Sequence, residues 1–318
     1  MMKKWGVLFG AALLALTLSS CGDAGAKKMK IGVSIPAADH GWTGGIVYSA
    51  EQAKKRIEKE NPDCEVILST ARDAAEQVDK IENLLVQGVK ALVVLPQEPG
   101  PLTNICAEAK KRGVFLVTVD RGLDSAVQDV YVAGDNAGFG RVAAEALARA
   151  LGGKGDIAVM EGIPCVVNTD RVAAFKAEIA KYPGIKVLDS QSAYWDTEKG
   201  LRLMENYLQK YPKLDAVWVG DDDVLIGALK ALEESKRKDV KLMLGGGGAK
   251  AIVRRVLDRD PIVRMTVTYP PKMIDVGMTA ALDGLKNGGK AKQPTVIIAS
   301  EVVAPENAKA YYFPESIY

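Results

Sequence analysis

The sequence predicts an α/β protein made of two similar, doubly wound parallel sheets. Three observations carry that expectation. Short β-branched runs alternate with longer amphipathic stretches from Met29 onward, and the runs are near-continuously apolar, as strands covered on both faces must be. The alternation then starts afresh after the breaker Gly152-Gly153-Lys154-Gly155. A chain of 318 residues is long enough for about two domains, each burying its own core.

In the first half, strands are expected at Lys30–Ile35, Glu65–Thr70, Ala91–Leu95, Val114–Val119 and Val130–Ala133, with helices near Gly45–Lys59, Ala74–Gln87 and Leu102–Arg112. The second helix sets Val78, Ile81, Leu84 and Leu85 on one stripe, the spacing that lets a helix cover a sheet. Gly88 and Gly113 follow helices where a left-handed cap favours glycine. After a helix at Ala137–Leu151 the second half repeats the pattern. Its strands fall at Asp156–Met160, Lys186–Leu188, Ala216–Val219, Lys241–Leu244 and Val263–Thr268, and its helices near Thr169–Lys181, Glu198–Gln209, Val224–Glu234 and Ala249–Leu257. The last residues, Tyr311 to Tyr318, are too apolar for a free tail, so this end is expected to pack on the protein.

The sequence opens Met-Met-Lys-Lys-Trp, followed by an apolar run from Gly6 to Leu18 and then Ser19-Ser20-Cys21. A basic start, an apolar stretch and small residues make a secretory signal over residues 1–20. The run is short for a membrane span of about 20 residues. Leu18-Ser19-Ser20-Cys21 is similar to a bacterial lipobox, which implies cleavage before Cys21 and acylation of its thiol, with residues 21–28 as a polar tether. Lys3 and Lys4 would leave with the signal, so the 42 basic residues fall to 40, matching the 40 acidic ones. A neutral mature chain disfavours a nucleic-acid partner. Cys64, Cys106 and Cys165 lack C-x-x-C spacing and are odd in number, which argues against a disulfide framework while leaving room for one pair.

In doubly wound sheets ligands sit beyond the carboxyl ends of strands, where the strand order reverses. The residues just after each strand are therefore the candidates. After the first come Asp39-His40-Gly41-Trp42-Thr43-Gly44-Gly45, read as a tightly turned or mobile loop presenting an indole; a Trp42 that only plugs the core reads the same way. After the fourth comes Asp120-Arg121, a carboxylate beside a planar donor fork, the combination that holds adjacent hydroxyls or makes a local ion pair. In the second half Tyr194-Trp195-Asp196 and Gly220-Asp221-Asp222-Asp223 follow strands. At least one of the three aspartates should be a helix cap, and Asp221 is the candidate for the crevice. Trp218, inside an apolar strand, is expected in the core.

Sharper chemistries fail on spacing. Gly245-Gly246-Gly247-Gly248-Ala249-Lys250 lacks the G-K-[ST] ending of a phosphate loop, no G-x-G-x-x-G follows the first strand, and no G-x-S-x-G elbow occurs. His40 is the single histidine, which removes most imidazole catalysis and leaves little for a metal site. A glycosidase's paired carboxylates meet only in space, so spacing is silent on them.

The whole mature chain resembles the periplasmic sugar-binding proteins of the ribose-binding type, which serve ABC importers. The local matches are Lys30-Ile-Gly-Val-Ser34, Thr118-Val-Asp120-Arg121, Ala133-Gly-Asp135-Asn136, Gly162 to Arg171 with Phe175, Trp195-Asp196 with Lys199-Gly200-Leu201, and Asp221-Asp222 with Gly227-Ala228-Leu229. The resemblance implies a type I periplasmic-binding fold whose two lobes, 29–134 plus 269–298 and 135–268 plus 299–318, are joined by three hinge crossings. It puts sugar-stacking aromatics at Trp42 and Trp195 and polar contacts at Asp120, Arg121 and Arg171. Asp221 stands where ribose binders carry Asn, and Thr268 falls near a hinge contact that is often Gln.

Two departures bear on the ligand. Gly247 replaces an aspartate and Leu95 an asparagine, for which Gln97 or Glu98 could compensate. With His40 and Asp39 nearby, a pocket so changed should favour another pentose, a hexose or a polyol over ribose, since each unpaired buried group costs about 1–3 kcal/mol.

The expectation is thus a monomeric, lipid-anchored extracytoplasmic lipoprotein that binds a small neutral sugar or polyol for an ABC permease, needs no cofactor or metal and is no enzyme. A sensor presenting the same ligand to a receptor kinase or chemoreceptor is the alternative. A secreted glycan-active enzyme and a sugar-responsive repressor are weaker rivals, the latter because a signal stands where its DNA-binding segment would be.

Overall fold

The computed structural model describes residues 1–2, 28–38 and 41–318. The signal from residue 3, Cys21 and the tether to residue 27 lie outside the described residues, as do Asp39 and His40. The first half runs β1 (Met29–Pro36), α1 (Gly41–Glu60), β2 (Cys64–Ala71), α2 (Ala74–Val86), β3 (Ala91–Val94), α3 (Pro99–Lys111), β4 (Phe115–Val119) and β5 (Val130–Gly134). The second runs α4 (Asn136–Ala150), β6 (Lys154–Glu161), α5 (Val166–Ile179), β7 (Gly184–Ser192), α6 (Thr197–Lys210), β8 (Ala216–Val219), α7 (Asp222–Ser235), β9 (Leu242–Leu244), α8 (Lys250–Leu257) and β10 (Thr266–Val267). Then follow α9 (Met273–Lys286), β11 (Thr295–Ile298), β12 (Val302–Val303) and a short 3-10 turn at Ala308–Tyr311.

One sheet is six-stranded and all parallel, ordered β11-β5-β4-β3-β1-β2; the other is four-stranded and parallel, ordered β7-β6-β8-β9. Parallel neighbours need crossovers, and helices supply them on both faces. Hence β3, β4, β8 and β9 are buried at every residue. In both sheets the order reverses beside the first strand, β1 or β6, so each has a crevice at its carboxyl end.

Three chain segments pass between the sheets, at Gly134–Asn136, at 268–272 and at 299–301. They are tied to one another. Asp135 N–H donates to the Ile298 carbonyl at 2.9 Å, Ser300 Oγ to the Asp135 carbonyl at 3.3 Å, Thr268 N–H to the Glu301 carbonyl at 2.9 Å, and Glu301 N–H to Thr268 Oγ1 at 2.9 Å.

Three expectations need correction. The glycine-rich stretch after β1 is the first turn of α1, not a loop, and its glycines serve close approach: a Cβ on Gly45 would stand 2.8 Å from Pro271 Cγ and 2.9 Å from Tyr318 Cβ. The strand expected over Val263–Thr268 shrinks to β10, antiparallel to β12, because the chain is already leaving the sheet for the crossing. Helix α9 went unread, since Gly277 and Gly284 interrupt its pattern; both let it lie close on the sheet, for a Cβ on Gly277 would stand 2.6 Å from Val119 Cγ2 and one on Gly284 would collide with the Phe115 ring. The tail expectation holds in part: Tyr318 is buried, while Phe313 and Ile317 are exposed. Cys64, Cys106 and Cys165 are free thiols.

Candidate functional site

The carboxyl ends of the two sheets face each other across a cavity of about 40 Å³. Trp42, from the first turn of α1, is 8% exposed; its N–H donates across the cleft to Asp223 Oδ2 at 3.4 Å, and its Nε1 donates to the Tyr269 carbonyl at 2.9 Å. The opposite sheet contributes Trp195, held at φ 55° after β7 with its indole against the bare backbone of Gly162. Both indoles line the cavity.

Asp120 ends β4 at φ 62°, a left-handed conformation disfavoured without glycine and costing roughly 1–3 kcal/mol. It is 5% exposed and accepts from Tyr269 Oη at 2.5 Å. Burial, and after it the Asp120 charge, pushes the Tyr269 phenol well up, so this hydroxyl keeps its proton and donates. The expected Asp120–Arg121 pair is long, at 3.9 Å, and Arg121 Nη1 instead donates to the Gln97 carbonyl at 3.0 Å.

Arg171, on α5, is 5% exposed. Its Nε donates to Asn136 Oδ1 at 3.0 Å and its Nη1 to the Gly220 carbonyl at 3.0 Å. Its guanidinium carbon lies 4.3 Å from the Phe139 ring centre and 4.1 Å from that of Tyr269. A planar cation between two aromatic faces is held in orientation by both.

The aspartate run divides its roles. Asp221 caps α7, accepting from Val224 N–H at 3.0 Å, and also lines the cavity. Asp222 is structural: it accepts from the N–H groups of Gly248 and Ala249 at 2.9 and 2.8 Å and from Thr266 Oγ1 at 3.0 Å. Burial raises the carboxyls of both, that of Asp222 to about 7. Because this lies above the ordinary value of 3.8, Asp222 contributes stability at low pH that is lost as pH rises through about 7. The wild type should therefore melt lower at pH 8 than at pH 5. In Asp222→Asn, which keeps the Thr266 and backbone contacts in reach, that drop should shrink; an unchanged drop in thermal unfolding refutes the assignment. Depressed carboxyls such as Asp215, held at about 2 by the Asp156 N–H, Lys241 and Lys213 against its burial, act only at more acid pH.

The structure thus gathers Trp42, Asp120, Arg121, Arg171, Trp195, Asp221 and Gly247 around one cavity. Thr268 is not among them. Side chains alternate along an extended crossing, and the one facing the cavity is its neighbour Tyr269, while the Thr268 hydroxyl is taken by Glu301 N–H. Gln97 is also outside the lining; its N–H donates to Gln77 Oε1 at 2.8 Å, and Leu95 is wholly buried. Sequence reasoning missed Tyr269 and Tyr318; for Tyr269 the period-2 alternation was the available signal.

Facing crevices of two doubly wound lobes, walled by indoles and buried polar groups, define a two-lobed solute-binding protein. The chain belongs to the periplasmic binding protein family, whose domain matches residues 31–291, and whose members bind solutes rather than catalyse reactions. It is 31% identical over 268 residues to the ribose import binding protein of Bacillus subtilis, covering 84% of this chain and 85% of that one. To the xylitol-binding protein of Mycolicibacterium smegmatis it is 29% identical, covering 76% of this chain and 69% of that one. An ABC transporter periplasmic solute-binding protein from Actinobacillus succinogenes, solved with bound D-allose, superposes with a TM-score of 0.80 at 26% identity, over 89% of this chain and 100% of the other.

Proposed function

We propose that the protein is an extracytoplasmic lipoprotein, anchored through Cys21, that captures a small neutral sugar or polyol between its lobes and delivers it to an ABC permease. The lobes are 29–134 plus 269–298 and 135–268 plus 299–318, and binding closes them about the hinge. The observation that carries this reading is the pair of indoles, Trp42 and Trp195, brought by opposite lobes to one cavity with Arg171 and Asp120. Aromatic faces receive sugar C–H groups by apolar burial and by the ring's negative quadrupole, while the guanidinium and carboxylate take hydroxyls. The named ligands of the relatives, ribose, xylitol and D-allose, are all uncharged and polyhydroxylated, which supports the same class here.

A thermal-shift panel of sugars and polyols tests this. At a hundredfold excess over Kd the true ligand should raise Tm by about 5–10 °C; no shift with any member refutes the reading. Stimulation of a reconstituted permease ATPase, rather than of a sensor kinase, separates transport from sensing. Cys21→Ser should release the protein from the membrane fraction, and retention there refutes the anchor.

A further inference from the structure

Tyr318 reaches the cavity from the tail segment 312–318 and from neither sheet. It is 7% exposed, between lobes, while Phe313 and Ile317 of the same segment are 57% and 67% exposed, so the segment turns one side chain inward. Room for it is made by glycines of both lobes. The Cβ position of Gly45 on α1 lies 2.9 Å from Tyr318 Cβ, and a Cβ on Gly247 would collide with the Tyr318 hydroxyl.

Among the described residues that buried hydroxyl has no hydrogen-bond partner, and the same holds for Trp195 Nε1; both residues line the indole cavity. Buried polar groups left unpaired cost roughly 1–3 kcal/mol each, and two of them converging on one space mark a place for hydroxyls. On its other side Tyr318 borders a second cavity of about 390 Å³, walled by Tyr48, Pro271, Phe313 and Pro314. The ring therefore partitions a large space from the space of about 40 Å³ at the indoles. The tail is lightly held: Lys250 Nζ donates to the Pro314 carbonyl at 3.2 Å and to that of Ser316.

We infer that Tyr318 is the specificity-determining wall of the ligand cavity: its hydroxyl hydrogen-bonds the polyhydroxylated ligand, and its ring limits the size of ligand admitted. This rests on the sugar or polyol reading above. Gly247 is then the position whose missing side chain admits the tyrosine.

The test is calorimetric titration of wild type, Tyr318→Phe and Tyr318→Ala with glycerol, xylitol, D-ribose, D-allose and myo-inositol, each protein first shown folded by its thermal transition. Tyr318→Phe should bind the best wild-type ligand about 5–10-fold more weakly with the order of preference kept, as one hydrogen bond would predict. Tyr318→Ala, which joins the two cavities, should shift preference toward the larger ligands, D-allose and myo-inositol, by about tenfold or more over glycerol. Variants that reproduce the wild-type affinities and order overturn the role of Tyr318 and leave the sugar reading standing. A wild type that binds no member of the panel overturns both.

Discussion

Arg171→Ala should lower ligand affinity by about 100-fold or more, the loss typical when one partner of a buried, charge-assisted network is cut away. The reason is geometric as well as electrostatic. Asn136 and the Gly220 carbonyl fix two of its nitrogens, and the Phe139 and Tyr269 rings fix its plane, so the guanidinium is oriented before a ligand arrives. Among the described residues Nη2 makes no hydrogen bond, which leaves it for a hydroxyl. Arg171→Lys keeps the charge and loses the fork, and should bind nearly as poorly. Both variants should keep a cooperative melting transition. Wild-type affinity in either would remove Arg171 from the site.

Trp218→Ala should do the reverse, costing about 3–5 kcal/mol of stability, the range for deleting a large buried aromatic. Trp218 is wholly buried in β8 and stacks on Phe175 with ring centres 3.8 Å apart and planes 2° from parallel. Its removal opens a void that close-packed neighbours fill only in part. At about 2–4 °C for each kcal/mol in a domain of this size, Tm should fall by roughly 6–20 °C. At a temperature where the variant is folded its affinity should match wild type, since the ring lies in the core and not in the cavity. A loss of affinity without a loss of Tm would refute the division between the two tryptophans.

That division could be read from sequence because strand periodicity separates the two settings. Trp218 sits inside a run buried on both faces, whereas Trp42, Asp120, Trp195 and Asp221 follow strands, where a doubly wound sheet opens. Arg171 follows no strand. It lies on a helix, and only the resemblance to known sugar binders, not its spacing, singled it out. Thr268, singled out by the resemblance alone, lies one residue short of Tyr269, and in an extended segment a step of one residue reverses the facing. Tyr318 could not be found by local pattern at all. The residues that surround it, Gly45 and Gly247, are far away in sequence, and packing that joins distant segments leaves no periodic trace.

The hydrogen bonds linking Asp135 to Ile298 and Ser300, and Thr268 to Glu301, join the three crossings into one laced ribbon. Separate strings would let one lobe slide, twist and flap independently of the other. A laced ribbon resists sliding and twisting, since either would break the rungs, and yields most easily to bending about a single line. On the reading proposed above, relative motion of the lobes would then be confined to close to one bending path, so that a partner would meet poses along one line rather than a spread in all directions. Loosening a rung, as Thr268→Val would by removing the hydroxyl that receives Glu301 N–H, would loosen that path without touching a residue that lines the indole cavity.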